Sequence, residues 1–121
     1  MIIVTGGAGF IGSNLIKGLN QIGIDNILVV DDLKNSNKHL NLNRVKFYDF
    51  IDKDQFIKNL DAFDFDKVEC IFHQGACSNT METDGAYMMK TNYTYSKILF
   101  NKAVRTETRF IYASSASVYG T

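Results

Sequence analysis

The chain alternates between two hydrophobic periodicities, and this alternation predicts strands and helices in turn. Short and almost wholly apolar runs are typical of parallel strands buried on both faces, and they occupy residues 1–4, 27–30, 68–73 and 109–113. A weaker alternating run predicts another strand at residues 45–48. Apolar residues recur at helical spacing over residues 12–20, from residue 52 onwards and over residues 84–105. The polar stretch 34–44 carries no predicted element.

Two helix boundaries have residue signatures of their own. Gly23 is expected to end the first helix, because a glycine readily takes up the left-handed conformation that follows many helices. Asp52 and Gln55 have the spacing of a capping box, which predicts that the second helix begins there. Its residues Phe56, Ile57 and Leu60 would then lie on one side.

Alternating strands and helices predict a parallel sheet with helices on both faces. Right-handed crossovers give the strand order 3-2-1-4-5, and the 121 residues are expected to form one domain. The predicted fold class is therefore α/β, a Rossmann-type doubly wound parallel sheet that is truncated after strand five. Ligands of such sheets bind outside the carboxyl ends of the strands, at the switch point between strands one and four.

A glycine-rich turn joins the first strand to the first helix. A side chain at Gly9 would block the approach of the backbone to a pyrophosphate, and one at Gly12 would hold the helix off the sheet. The start of the helix offers unpaired N–H groups and a partial positive charge to a phosphate. Strand two ends in Asp31, 19 residues beyond Gly12, where an acid meets an adenosine ribose. The pattern predicts a dinucleotide site; a tight turn without ligand is the alternative.

Composition narrows the functional classes. Lys plus Arg and Asp plus Glu both number 13, so no net charge attracts nucleic acid or an anionic membrane. No apolar stretch reaches transmembrane length. Cys70 and Cys77 indicate reduced thiols in a cytoplasmic protein, and no cluster has metal-ligand spacing. His73 ends an apolar strand, which predicts a packed or hydrogen-bonded histidine and not a catalytic base.

Several segments resemble a known family, the extended short-chain dehydrogenases/reductases that act on nucleotide sugars. They are TGGAGFIG at 5–12, Asp31, Asn92 and SSASVYG at 114–120. Within that group, the chain resembles the ADP-L-glycero-D-manno-heptose 6-epimerases. The segments that carry this closer resemblance are GSN at 12–14, VDDLK at 30–34, FHQGACS at 72–78 and DGAYMMKTNYTYSK at 84–97.

The resemblance implies roles for individual residues. The pyrophosphate would contact Gly6, Gly9, Phe10, Ile11 and Gly12. The adenosine end would meet Asp31, Asp32, Lys38 and Lys53. The nicotinamide side would be lined by Gln74, Gly75, Ala76, Cys77 and Ser78, with Asn92 stabilising the loop after strand four. Ser115 matches the catalytic serine that hydrogen-bonds the reacting sugar oxygen.

The resemblance also implies a reaction and a cofactor. An epimerase of this kind converts ADP-D-glycero-D-manno-heptose to ADP-L-glycero-D-manno-heptose through a keto intermediate, in lipopolysaccharide core heptose biosynthesis. We expect NADP, because the family generally uses it and Lys38 could neutralise its extra phosphate. NAD is the alternative, since a carboxylate at Asp31 suits a ribose hydroxyl and repels a phosphate.

The family's proton-transfer tyrosine belongs to a Tyr-x-x-x-Lys motif on a helix after strand five, and the 121 residues contain that spacing only at Tyr93 and Lys97, before strand five. We therefore expect an N-terminal cofactor-binding part, inactive by itself, of an enzyme that forms homo-oligomers. Two other interpretations stay open. The chain could belong to an epimerase or dehydratase of UDP- or dTDP-sugars, or be a non-catalytic dinucleotide-binding remnant.

Overall fold

The computed structural model describes residues 1–32, 39–74 and 85–113, with the backbone alone for Phe10, His39, Ala113 and residues 85–93. The strands are β1 (Ile2–Thr5), β2 (Ile27–Asp31), β3 (Asp49–Asp52), β4 (Cys70–Gln74) and β5 (Arg109–Ala113). The α-helices are α1 (Phe10–Gln21), α2 (His39–Leu42), α3 (Lys53–Lys58) and α4 (Gly85–Arg105). Two short 3-10 helices, Leu60–Ala62 and Phe65–Lys67, lie between α3 and β4. No helix in these ranges is long and apolar enough to cross a membrane.

The strands form one parallel sheet in the order β3-β2-β1-β4-β5, which confirms the predicted fold and strand order. Successive residues of β1 point to opposite faces, so Ile3 enters one apolar cluster while Ile2 and Val4 enter the other. The first cluster also contains Phe56 of α3 and Leu99 of α4. The second contains Ile16 of α1 and Leu42 of α2. Both faces of the sheet are thus covered by helices, as the alternating pattern predicts.

The prediction for the third strand is wrong. Residues 45–48 precede the strand, and β3 is Asp49–Asp52, paired in parallel with Leu28–Asp31. Tyr48 is 70% exposed, and its N–H donates to the carbonyl of Ile27 at the start of β2. Because β3 lies at the edge of the sheet, it tolerates an exposed aspartate at its first position. Aspartate is uncommon in strands, which is why the pattern pointed four residues too early.

Other boundaries differ by a few residues or match. α1 begins two residues earlier than predicted, and α2 lies in the polar stretch that predicted no element. Strand β4 begins at Cys70 and not at residue 68, because the Val68 N–H closes a 3-10 turn onto Phe65. Gly23 has a φ of 90° just beyond α1. The Asp52 carboxylate accepts from the N–H groups of Asp54 and Gln55, which confirms the predicted start of α3.

Candidate functional site

The glycine turn leads directly from the carboxyl end of β1 into α1. Gly6 has a φ of 70°, a left-handed conformation that a residue with a side chain rarely adopts. Its N–H donates to the Val30 carbonyl of β2 at 2.7 Å. The Gly9 N–H donates to the Gly6 carbonyl at 3.1 Å, and the Gly9 carbonyl accepts the Ser13 N–H at 2.9 Å. These bonds tie the turn to β2 and to the start of α1.

Gly12 and Gly9 are glycines for different reasons. A Cβ at Gly12 would lie 2.1 Å from the Gly6 carbonyl oxygen and 2.7 Å from the Gly7 Cα, so the protein's own packing excludes a side chain. A Cβ at Gly9 would meet the Gly6 oxygen at 3.4 Å, an ordinary contact. Packing within the described residues therefore requires glycine at position 12 and not at position 9. Close approach of a ligand is what a side chain at Gly9 would oppose.

The start of α1 is suited to an anion. Gly9 is its N-cap residue, no described side chain caps it, and its first turn contains no acidic residue. The first N–H groups of such a helix and its dipole favour negative charge. Ile11 in this turn is 49% exposed, although it is apolar. The turn thus presents backbone donors and an apolar side chain at the carboxyl end of the sheet.

Asp31 is bound to the glycine turn. Its side chain is 6% exposed, and its Oδ2 accepts the Ala8 N–H at 2.9 Å. Its Oδ1 accepts the N–H of Asp32 at 2.7 Å. The predicted ribose-binding acid therefore lies beside the predicted pyrophosphate turn and also holds it in place. Asn41 of α2 contacts the same turn, because its Nδ2 donates to the Ala8 carbonyl at 2.8 Å.

The switch point between β1 and β4 brings Gln74 to the glycine turn. The N–H of Gln74 donates to the Thr5 hydroxyl at 3.1 Å. A Cβ on Gly6 would lie 2.8 Å from the Gln74 Cβ, so these two residues are packed against each other. Gln74 is half-buried and ends β4. The turn, Asp31 and Gln74 therefore occupy adjacent carboxyl ends of β1, β2 and β4.

His73 joins three elements just below this edge. Its Nδ1 is hydrogen-bonded to the Thr5 hydroxyl of β1, and its Nε2 to the Ser96 hydroxyl of α4 at 2.7 Å. The ring stacks on Tyr95 with a centroid distance of 6.0 Å. Burial lowers the pKa of His73 to about 4, so the ring is neutral at physiological pH. These contacts confirm the predicted hydrogen-bonded histidine.

Tyr95 connects α4 to the start of α3. Its hydroxyl donates to the Lys53 carbonyl at 3.2 Å. Burial raises the pKa of Tyr95, and the negative charges of Asp54, Asp52 and Asp31 raise it further. The phenol therefore stays protonated and serves as a donor. Because Asp31 pairs with Asp52 in the β2–β3 register, Lys53 follows the strand end that adjoins Asp31 and Asp32.

The described residues cover part of the predicted site. Gly6, Gly9, Gly12, Asp31 and Gln74 lie together, and Asp32 and Lys53 follow neighbouring strand ends. Phe10 and Asn92 are placed by their backbone on α1 and α4. Outside the described residues are Lys38, Gly75, Ala76, Cys77, Ser78 and Ser115.

Known proteins resemble the chain over this same framework. A family model described as NAD dependent epimerase/dehydratase matches residues 2–121. The chain belongs to this family. It is 64% identical to an ADP-L-glycero-D-manno-heptose-6-epimerase of Brachyspira hyodysenteriae, over 99% of the chain and 38% of that relative. The chain thus spans well under half of the relative's length.

Solved structures of other family members share the fold. The ADP-L-glycero-D-manno-heptose-6-epimerase of Helicobacter pylori matches with a TM-score of 0.76 and 33% identity, over 98% of this chain and 40% of that one. A UDP-glucose 4-epimerase of Thermotoga maritima solved with UDP-glucose matches with 0.69 and 30%, over 92% and 36%. A UDP-glucose 4-epimerase of Brucella ovis solved with NAD matches with 0.70 and 25%, over 99% and 37%.

Sequence reasoning missed three residues that support the site in this chain. They are Thr5, Asn41 and Ser96, whose side chains hydrogen-bond Gln74, Ala8 and His73. Each bond joins residues that lie 23 or more positions apart, and the glycine pattern at residues 5–12, although it contains Thr5 and Ala8, does not predict their partners. Thr5 is a polar residue at a strand end next to a glycine turn. This position is the one local signal in the sequence that points to these bonds.

Proposed function

We propose that this chain is the dinucleotide-binding part of an enzyme that converts ADP-D-glycero-D-manno-heptose to ADP-L-glycero-D-manno-heptose. The 64% identity to an enzyme named for that reaction supports the proposal. The observation that carries it is the placement of the glycine turn, Asp31 and Gln74 at adjacent carboxyl ends around the switch point. Doubly wound folds bind dinucleotides at this place.

The residues at this edge fit a dinucleotide. The start of α1 carries no acid in its first turn, and Gly9 leaves room for close approach of a pyrophosphate. We assign pyrophosphate binding to the backbone of Gly6, Gly9, Phe10, Ile11 and Gly12. When bound, a nicotinamide dinucleotide supplies a site that accepts a hydride from the sugar and returns it. The chain's own part is to hold that cofactor and orient it.

The adenosine end is assigned to Asp31 and Asp32, with Lys53 and Lys38 as the cationic residues. Family members solved with NAD support a nicotinamide dinucleotide in general. We propose NADP as the cofactor of this chain, with the two lysines neutralising its extra phosphate. The charge of Asp31 opposes a 2′-phosphate, and we propose that the two lysines outweigh this repulsion while the Asp31 Oδ2 holds the Ala8 N–H of the turn.

The nicotinamide side is assigned to Gln74 and the loop that follows it, from Gly75 through Ala76 and Cys77 to Ser78. Asn92 is assigned to stabilising that loop, and Ser115 to hydrogen-bonding the reacting sugar oxygen. These assignments rest on the family resemblance of the segments that contain them. We further propose that the complete enzyme forms a homo-oligomer.

An epimerisation assay tests the proposal. The whole protein that carries this sequence is incubated with ADP-D-glycero-D-manno-heptose, and the two heptose epimers are separated by chromatography. We expect conversion to a mixture of both epimers. In parallel, the folded 121-residue chain is titrated with NADPH and NADH by calorimetry.

Three outcomes separate the parts of the proposal. Conversion of UDP-glucose to its 4-epimer, with no turnover of the ADP-heptose, would contradict the proposed substrate. The proposed type of reaction, an epimerisation, would still hold. Binding of NADH in clear preference to NADPH would contradict the proposed cofactor. A folded chain that binds neither dinucleotide would contradict the assignment of the glycine turn as a cofactor site.

A further inference from the structure

The peptide between Ala8 and Gly9 is restrained at both ends. Its carbonyl, on Ala8, accepts the Asn41 Nδ2 at 2.8 Å. Its N–H, on Gly9, donates to the Gly6 carbonyl at 3.1 Å. Because a peptide group is planar, holding its oxygen and its hydrogen fixes the orientation of the whole group. This peptide immediately precedes the first turn of α1, since Gly9 is the N-cap residue.

The same peptide would reorient readily without such a restraint. A flip of the Ala8–Gly9 peptide changes ψ of Ala8 and φ of Gly9, and glycine adopts positive and negative φ about equally well. A Cβ at Gly9 would also meet nothing closer than 3.4 Å, so the surroundings of Gly9 offer little steric resistance. The hydrogen bonds to this peptide are therefore what select one orientation of the turn.

Asn41 is held in place by the packing of α2. Leu42, the next residue, is 8% exposed and belongs to the apolar cluster that includes Ile16 of α1. This packing fixes α2 against α1, and the Asn41 amide, which is half-buried, reaches the turn between β1 and α1. The neighbouring Asn43, by contrast, is exposed. Among the described residues, its hydrogen bond is the one that its backbone N–H donates to the Leu40 carbonyl.

We propose that Asn41 is a positioning residue for dinucleotide binding: by holding the Ala8 carbonyl, it keeps the first N–H groups of α1 directed toward the pyrophosphate. The role rests on the proposed function, because it needs a dinucleotide at this turn. It assigns to α2 a part in binding the centre of the cofactor, although Asn41 itself contacts the protein backbone. Asp31 restrains the preceding peptide through the Ala8 N–H, so two elements hold the turn from both sides.

Substitution of Asn41 tests the proposal. Asn41→Asp keeps the size of the side chain and replaces the donating amide by an oxygen that faces the Ala8 carbonyl; Asn41→Ala removes the side chain. Asn43→Ala is the matched control on an exposed residue. Affinities of the full chain for NADPH and for 2′-AMP, which carries no phosphate on the 5′ position, are measured by calorimetry, with circular dichroism to verify folding. A net hydrogen bond corresponds to roughly a 3- to 10-fold loss of affinity.

We expect that loss for NADPH in both Asn41 variants and less than a twofold change for 2′-AMP, with Asn43→Ala matching the unsubstituted chain. Equal NADPH affinity in Asn41→Asp and Asn43→Ala would overturn the proposed role of Asn41 and would not affect the proposed function. An equal loss for NADPH and 2′-AMP would overturn it as well, because it would show a general structural defect. If the Asn41→Ala variant does not fold, the NADPH affinity of Asn41→Asp tests the role of Asn41 by itself. Failure of the unsubstituted, folded chain to bind NADPH would instead overturn the proposed function and the inference with it.

Discussion

At the scale of single residues, the neutral state of His73 is a consequence of its burial. The side chain is 5% exposed and both ring nitrogens are hydrogen-bonded to hydroxyl groups, Thr5 on one side and Ser96 on the other. Burial disfavours the charged imidazolium and lowers the pKa of the ring to about 4. His73 therefore links β1, β4 and α4 without carrying charge.

The lowered pKa predicts acid sensitivity with a defined sign. An unfolded histidine has its ordinary pKa of about 6.5, so between about pH 6.5 and pH 4 the unfolded chain binds more protons than the folded one. The free energy of unfolding should fall over that range by up to about 3 kcal/mol on account of His73, and this loss should be complete below it. Urea unfolding of the unsubstituted chain and of His73→Asn, compared at several pH values, measures the difference.

The second histidine offers a control. His39→Gln leaves His73 as the sole histidine, so its ring resonances can be followed by NMR during a pH titration. We expect no titration above about pH 5. A midpoint near 6.5 in the folded protein would contradict the lowered pKa, and an unchanged pH dependence in His73→Asn would assign the acid sensitivity to carboxylates.

Sequence reasoning succeeds at residues whose role is local. Gly12 is predictable from its spacing, because a backbone contact 2.1 Å from its Cβ position leaves room for glycine alone. The Asp52 cap is predictable because it bonds N–H groups two and three residues away. Asn41 is not predictable, since its partner Ala8 lies 33 residues earlier and any polar side chain in the stretch 34–44 fits the pattern equally well.

At the scale of elements, the wrong prediction for β3 changes the expected position of a candidate site residue, Lys53. A strand over residues 45–48 would end five residues before Lys53, whereas β3 ends at Asp52 and α3 begins at Lys53 itself. The predicted capping box located the helix correctly, because capping is local. The strand was misplaced because β3 begins and ends with aspartate and so lacks the continuous apolar run that marked the other strands. The register with β2 then brings Lys53 next to the end of β2.

This placement predicts a role for Lys53 in choosing between dinucleotides. If Lys53 neutralises the extra phosphate of NADP, Lys53→Met should weaken NADPH binding roughly 10-fold or more and leave NADH binding unchanged, because a charge-assisted hydrogen bond is stronger than a neutral one. Lys58→Met, at the other end of α3 and exposed, is the matched control. Titration of each variant with both reduced dinucleotides measures the effect. A parallel loss for NADH and NADPH would show that Lys53 does not select the phosphate.

At the scale of the whole molecule, the two ends of the sheet differ in chemistry. The carboxyl ends hold the glycine turn, Asp31 and Gln74, whereas the amino ends border a shallow depression of about 390 Å³. That depression is lined by Met1, Ile2, Gly23, Ile24, Asp25, Asn26 and Glu69. Its lining side chains include the carboxylates of Asp25 and Glu69 and no basic side chain, which does not favour a pyrophosphate. The location of the ligand site at the carboxyl ends follows from the topology of the sheet. It was therefore predictable from the alternation of strands and helices.

The topology thus predicts where a dinucleotide perturbs the protein. Amide groups that bind or adjoin a phosphate change their NMR chemical shifts strongly, so NADPH should shift the resonances of Gly9, Asp32 and Gln74. The amides of Asn26 and Glu69, at the opposite end of the sheet, should keep their positions and serve as internal controls. Two-dimensional amide spectra recorded during a titration make the comparison. Shifts concentrated at Asn26 and Glu69 would place the ligand at the amino ends, contrary to the switch-point rule. Shifts at Gly9 with none at Gln74 would restrict binding to the adenosine side and separate the pyrophosphate turn from the proposed nicotinamide side.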